Sequence, residues 1–160
     1  MSRRLVHRMT YDAPVAAVRA MLDDPEFRKA VCAAQHVTRV DVRIDRDGDH
    51  TDVVVDQWQV TKGIPSFARK FTGDETNVVQ VESWSTPTSA DLVVTIPGKP
   101  GDMRGTIELT QNDGVTTETV DLTIKVGIPL VGGKIESLVS DLLLNALEKE
   151  QAVGRDYLSR

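Results

Sequence analysis

The chain has 160 residues, 40% of them hydrophobic and 27% charged, enough for one apolar core and without the bias of a disordered or fibrous chain. A formal net charge of -5 opposes the attraction to phosphate backbones on which nucleic-acid binding depends, so no nucleic-acid partner is expected. Cys32 is the only cysteine, which excludes an intrachain disulfide and multi-cysteine zinc sites.

No apolar run is long enough to cross a membrane and the N-terminus lacks an apolar signal core. Together with the lone cysteine, this predicts a single domain over residues 1–160 in the cytoplasm. The basic cluster Arg3, Arg4 and Arg8 reads as a solvated strand end.

In chain order, residues 4–10 read as a first strand. Asp12 is placed to cap a helix with Pro14 in its early turn, where a missing amide donor is tolerated. Asp24-Pro25 starts a second short helix to about Ala34, with Phe27, Ala30 and Val31 on one face. From His36 the period becomes two: Val40, Val42 and Ile44 alternate with Arg39, Asp41, Arg43 and Asp45.

Asp47-Gly48 signals a hairpin, and a return strand covers residues 50–61. Its parity is ambiguous because Val53, Val54, Val55, Trp58 and Val60 fall on both registers, which a bulge would resolve. Residues 62–77 read as an ordered, partly helical loop. Four more strands follow at about 78–85, 90–96, 103–110 and 115–126. In them Leu92, Val94 and Ile96, then Ile107 and Leu109, then Val120, Leu122, Ile124 and Val126 face inward.

After a glycine-rich turn, residues 134–157 form one long helix. Ile135, Leu138, Val139, Leu142, Ala146, Val153 and Tyr157 make its apolar stripe, opposite Glu136, Ser140, Glu148, Lys149, Gln151 and Arg155. Such a helix needs an apolar surface of its own length, and the inward face of the sheet is the only one. The fold class is therefore α+β, a curved antiparallel sheet of about seven strands gripped by the last helix. On this packing Leu142→Asp is expected to cost several kcal/mol by burying a charge.

That order resembles the START-like superfamily, also called SRPBCC or the birch-pollen-allergen-like helix-grip fold, over essentially the whole chain. The resemblance rests on Tyr11-Asp12-Ala13-Pro14 leading into a helix ending Asp23-Asp24-Pro25, on the Asp47-Gly48 hairpin, and on Gly127-Ile128-Pro129-Leu130-Val131-Gly132-Gly133-Lys134-Ile135-Glu136. Within the superfamily, the Pro65-Ser66-Phe67 loop, Trp84 and the Gly-Gly-Lys-Ile segment resemble a bacterial family of uncharacterised function. The resemblance implies a hydrophobic cavity between helix and sheet and a lipid-like or polyketide-like ligand.

Placed on that architecture, the ligand-lining residues are Trp58, Phe67, Phe71, Leu92, Val94, Leu109, Leu122, Leu138 and Leu142. Residues 63–71 lie near the entrance, with Arg69 and Lys70 available to an anionic head group. Asp56 shares parity with Val54, Trp58 and Val60 and is the one candidate for an inward polar contact or base.

No metal-ligand spacing is present, because the histidines stand singly. The Gly127 to Ile135 segment lacks the glycine and hydroxyl residue of a phosphate loop. Cys32 and His36, four apart, read as core filling and a strand start. No cofactor and no catalytic residue are therefore assigned. The leading expectation is a binding protein for an apolar small molecule. The alternatives are a cyclase, hydrolase or isomerase on a similar substrate, or a protein-interaction module with a filled core. The oligomeric state is left open.

Overall fold

A computed structural model describes residues 2–60 and 63–160, apart from the side chain of Phe71. The elements run β1 (Arg3–Tyr11), α1 (Val15–Leu22), α2 (Pro25–Ala34), β2 (Val37–Asp47), β3 (His50–Val60), α3 (Ser66–Thr72), β4 (Glu75–Trp84), β5 (Ser89–Thr95), β6 (Asp102–Asn112), β7 (Val115–Lys125) and α4 (Gly132–Leu158). The strands form one seven-stranded antiparallel sheet in the order β1-β7-β6-β5-β4-β3-β2, so α1 and α2 connect its two edges.

Local chemistry departs from the sequence expectation at one helix start and one turn. Pro14, not Asp12, occupies the N-cap of α1 and makes no side-chain cap. The orphan amide of Val15 donates instead to Gln111 Oε1 on β6 at 2.8 Å. At α2 the expected cap is present, with Asp24 Oδ1 accepting from the Glu26 amide at 2.9 Å. The β2–β3 turn is Gly48-Asp49 rather than Asp47-Gly48, since Asp47 pairs with His50 and Gly48 supplies the required positive φ of 60°.

The parity of β3 is settled without a bulge, because its register against β4 is continuous from Thr51 to Val60. Thr51, Val53, Val55 and Gln57 are buried, which makes the odd positions inward. Val54, Asp56 and Trp58 belong to the other face, and Val60, at the strand end, borders the groove. The one irregularity lies in β2 between Val37 and Arg39.

Strands β6 and β7 approach closely at Gly105, which pairs with Leu122. A Cβ there would stand 1.8 Å from the Asp121 carbonyl oxygen, so only glycine lets β7 approach β6 so closely.

The terminal helix packs on β1, β7, α1 and α2. Its buried residues are Gly132, Glu136, Ser140, Glu150 and Gly154, not the apolar stripe alone. Glu136 and Ser140, expected to face water, are inside because Glu136 Oε2 accepts the Val126 amide at 2.8 Å and ties the end of β7 to the helix. Leu142, expected inside, is 46% exposed. The rotation that brings Glu136 inward leaves Leu142 at the open edge of the helix.

Candidate functional site

Where α4 leans on β1 it stands away from the middle strands, and the interior is hollow rather than filled. An outer groove of about 620 Å³ runs between α4, α3 and β4 to β6. Its apolar walls include Ile64, Val94, Ile96, Met103, Leu138 and Leu142. The groove continues into an inner recess of about 100 Å³ beneath α2. The two spaces share Gln35, Gln59, Val78, Val94, Leu143 and Ala146 as walls, so they adjoin along these residues.

The recess differs from the groove in chemistry. Leu92, Val120 and Leu122 line it together with Arg28, Gln57, Gln80, Glu82, Glu118 and Glu150. Arg28, from α2, donates Nη1 and Nη2 to the two oxygens of Glu82 on β4 at 2.7 and 2.8 Å, and Nε to the Leu22 carbonyl at 2.8 Å. Glu82 also accepts from Trp84 Nε1 at 2.9 Å and Gln80 Nε2 at 2.6 Å. Burial alone would push the Glu82 carboxyl up, but the Arg28 charge and these donors hold it below its ordinary value.

Two further carboxyls have no such support. Glu118, on β7, is 2% exposed, and its Oε1 has no hydrogen-bond partner among the described residues. Burial, then the charges of Glu150 and Glu82, push it well above the ordinary carboxyl range. Glu150, on α4, is pushed up to about 7 by burial, against the pull of Arg28. Burial therefore favours the protonated form of both carboxyls. Cys32 also faces this recess, its thiol pushed up to about 11 by burial, which makes it an inert core thiol rather than a nucleophile.

The residues singled out from sequence fall into distinct places. Leu92 and Leu122 face the recess, Val94 faces both spaces, and Leu138 and Leu142 face the groove. Leu109 is buried in the core but is not a wall of either space. Trp58 lies on the outer face of β3 with Arg39 over its ring at 4.6 Å. Asp56, on that same face, accepts from Asn77 Nδ2 at 2.6 Å.

Both β3 assignments are corrected by the odd inward register of the strand. Phe67 is half-buried on α3 but is not a groove wall. Ile64, Ala68 and Thr72 take that position. The Phe71 side chain lies outside the described residues. Arg69 and Lys70 are exposed on α3, and among the described residues Lys99 and Lys149, with His36, border the groove.

Arg28, Glu82, Glu118 and Glu150 were not anticipated, although a signal existed for each strand residue. Glu118 shares period-two parity with Val120, Leu122 and Ile124, and Glu82 with Val78 and Trp84. A charge on the inward register of a buried strand is the mark of such a site.

A long helix closing on a curved antiparallel sheet, with a groove between them, defines the helix-grip class of fold. The chain belongs to the family described as a protein of unknown function (DUF2505), whose profile matches residues 6–158. No curated protein matches the sequence.

Among solved structures, TTHA0849 from Thermus thermophilus is similar over 96% of this chain and 95% of its own, at 18% identity and a TM-score of 0.67. Ara h 8.0201 is similar over the full length of both chains, at 12% identity and a TM-score of 0.67. The di-domain ARO/CYC BexL from the BE-7585A biosynthetic pathway is similar over 97% of this chain and 49% of its own, at 16% identity and a TM-score of 0.68. At these identities the likeness establishes the fold. Among the described residues no helix is long and apolar enough to cross a membrane.

Proposed function

We propose that the protein binds a mainly apolar small molecule, lipid-like or polyketide-like, in the groove between α4 and the sheet. The observation that carries this reading is the apolar groove of about 620 Å³, within the size range of small-molecule sites. Affinity comes from apolar area removed from water, worth roughly 25 cal/mol per Å² before ordering costs. The kinship in fold with an ARO/CYC protein and with Ara h 8.0201 supports a small-molecule ligand. A lone, buried Cys32 supports a reducing compartment, the cytoplasm.

The test is titration with an environment-sensitive apolar dye, on wild type and on Ala146→Trp, which places an indole where groove and recess meet. Saturable binding by wild type and at least tenfold weaker binding by the folded variant is expected. Equal binding by both proteins contradicts the reading.

A second reading, acid–base catalysis on such a molecule, is favoured by one observation: two buried carboxyls line the recess, and burial raises their affinity for protons. Asp56 has no part in it, being on the opposite face.

A further inference from the structure

We propose that the inner recess accepts the positively charged end of an apolar amine, with Glu118 and Glu150 as its counter-ions. This rests on the ligand-binding reading above and deepens it by naming the ligand's polar end. The argument rests on which groups in the recess lack a partner. Three carboxyl groups, Glu82, Glu118 and Glu150, line the recess against a single cationic side chain, Arg28.

Arg28 is already committed, since Nε, Nη1 and Nη2 go to Leu22 and to both oxygens of Glu82. Its charge is matched first by Glu82 and only partly offsets the effect of burial on Glu118 and Glu150. Glu118 Oε1 is buried, faces the recess and has no partner among the described residues, and leaving such an atom unsatisfied is costly. A primary ammonium brings three N–H donors and one positive charge, which is what the residual carboxyl pair lacks. A carboxylate would find no cation there that is not already paired, and a neutral hydroxyl brings no charge to stabilise an ionised carboxyl.

The remaining groups around the pair do not supply that charge. From β1, Tyr11 is fully buried and its hydroxyl is pushed up by burial and by the charges of Glu150 and Glu118, so it stays neutral. From α2, Cys32 is a neutral thiol beside Gln57 Oε1 at 3.6 Å. From α4, Arg155 acts on Tyr11 but is engaged with Thr10 at the exposed edge of β1.

With the recess empty, burial favours the protonated carboxyls. An incoming ammonium favours their ionised forms, so binding transfers a proton from a carboxyl to the buffer while the ammonium keeps its own. The apolar chain of the ligand then lies along the path through Val94 and Ala146 to the outer groove.

The experiment compares n-octylamine, 1-octanol and octanoate, identical in chain and different in head group, by calorimetry at pH 6 in two buffers of different ionisation enthalpy. Octylamine is expected to bind at least tenfold more tightly than 1-octanol, as a charge-assisted contact predicts, with up to about one proton released per ligand, and octanoate is expected to bind least.

The Glu118→Gln/Glu150→Gln variant keeps the side-chain shapes. It is expected to lose at least tenfold in octylamine affinity while binding 1-octanol within about twofold of wild type, which also reports an intact fold. Equal affinity for amine and alcohol, or an amine preference that survives in the variant, overturns this inference and leaves apolar binding standing. Failure of all three probes to bind overturns the ligand-binding reading itself.

Discussion

Arg28 on α2 and Glu82 on β4 join through two hydrogen bonds of 2.7 and 2.8 Å in an almost dry interior. The pair clamps the first helical layer onto the middle of the sheet. Removing one partner leaves the other charge buried and unpaired, at a cost of about 3–5 kcal/mol. Arg28→Ala is expected to lower unfolding free energy by that amount in urea denaturation. Replacing both residues together by methionine and leucine is expected to cost less than the single change. A loss under about 1 kcal/mol for Arg28→Ala contradicts the clamp.

Glu118 and Glu150 predict an unusual pH dependence. Their folded carboxyls are raised above the ordinary 4.5, Glu150 to about 7 and Glu118 well above its ordinary value, so the folded state binds more protons than the unfolded chain over that interval. The associated stability is fully present below about pH 4.5 and is lost as pH rises through the folded values. For Glu150 this loss is on the order of 3 kcal/mol. Glu82 has the opposite sign, its contribution falling away only below its ordinary range. Urea midpoints between pH 5 and 8 are expected to fall for wild type relative to Glu118→Gln/Glu150→Gln. A constant difference across that interval contradicts the assignment.

Leu142 separates stability from binding. Because it is 46% exposed at the groove edge, Leu142→Asp is expected to change stability by no more than about 1 kcal/mol while weakening apolar dye binding. Leu122→Ala, at a fully buried position, is expected to cost about 2–5 kcal/mol. Equal destabilisation by the two would mean that α4 lies rotated from the orientation described.

Gly105→Ala reverses the usual preference of strands for a side chain. The added Cβ meets the Asp121 backbone at 1.8 Å, and backbone cannot yield as a side-chain tip does. The variant is expected to lose at least 2 kcal/mol, roughly the cost of overpacking, measured by denaturation midpoint. A neutral result would show that β6 and β7 are less tightly apposed.

The order of elements was legible because period and punctuation were local signals. Val40, Val42 and Ile44 marked β2 by strict alternation, and Asp24-Pro25 marked the start of α2. What sequence could not settle was orientation. Valines on both registers of β3 hid its parity, and the fact that decides it, Thr51 and Gln57 packing inward with Val53 and Val55, is tertiary.

The site was harder still, because its polar end is made of residue types that hydropathy assigns to the surface. Glu82 is satisfied in the interior only when Arg28 arrives from α2 to join its strand neighbours Gln80 and Trp84, and Glu118 is buried without such donors. On α4, Glu136 is drawn in by a single amide, that of Val126, a contact no helical periodicity encodes.

The central claim is that a ligand occupies the path between α4 and the sheet. Amide and methyl chemical-shift mapping during titration with an apolar probe tests it most directly. The account predicts saturable shifts at Ile64, Val94, Ile96, Leu138 and Leu143, walls of the groove, with Asp56 and Trp58 on the opposite face unmoved. Shifts confined to that opposite face, or none at saturating probe, would contradict it.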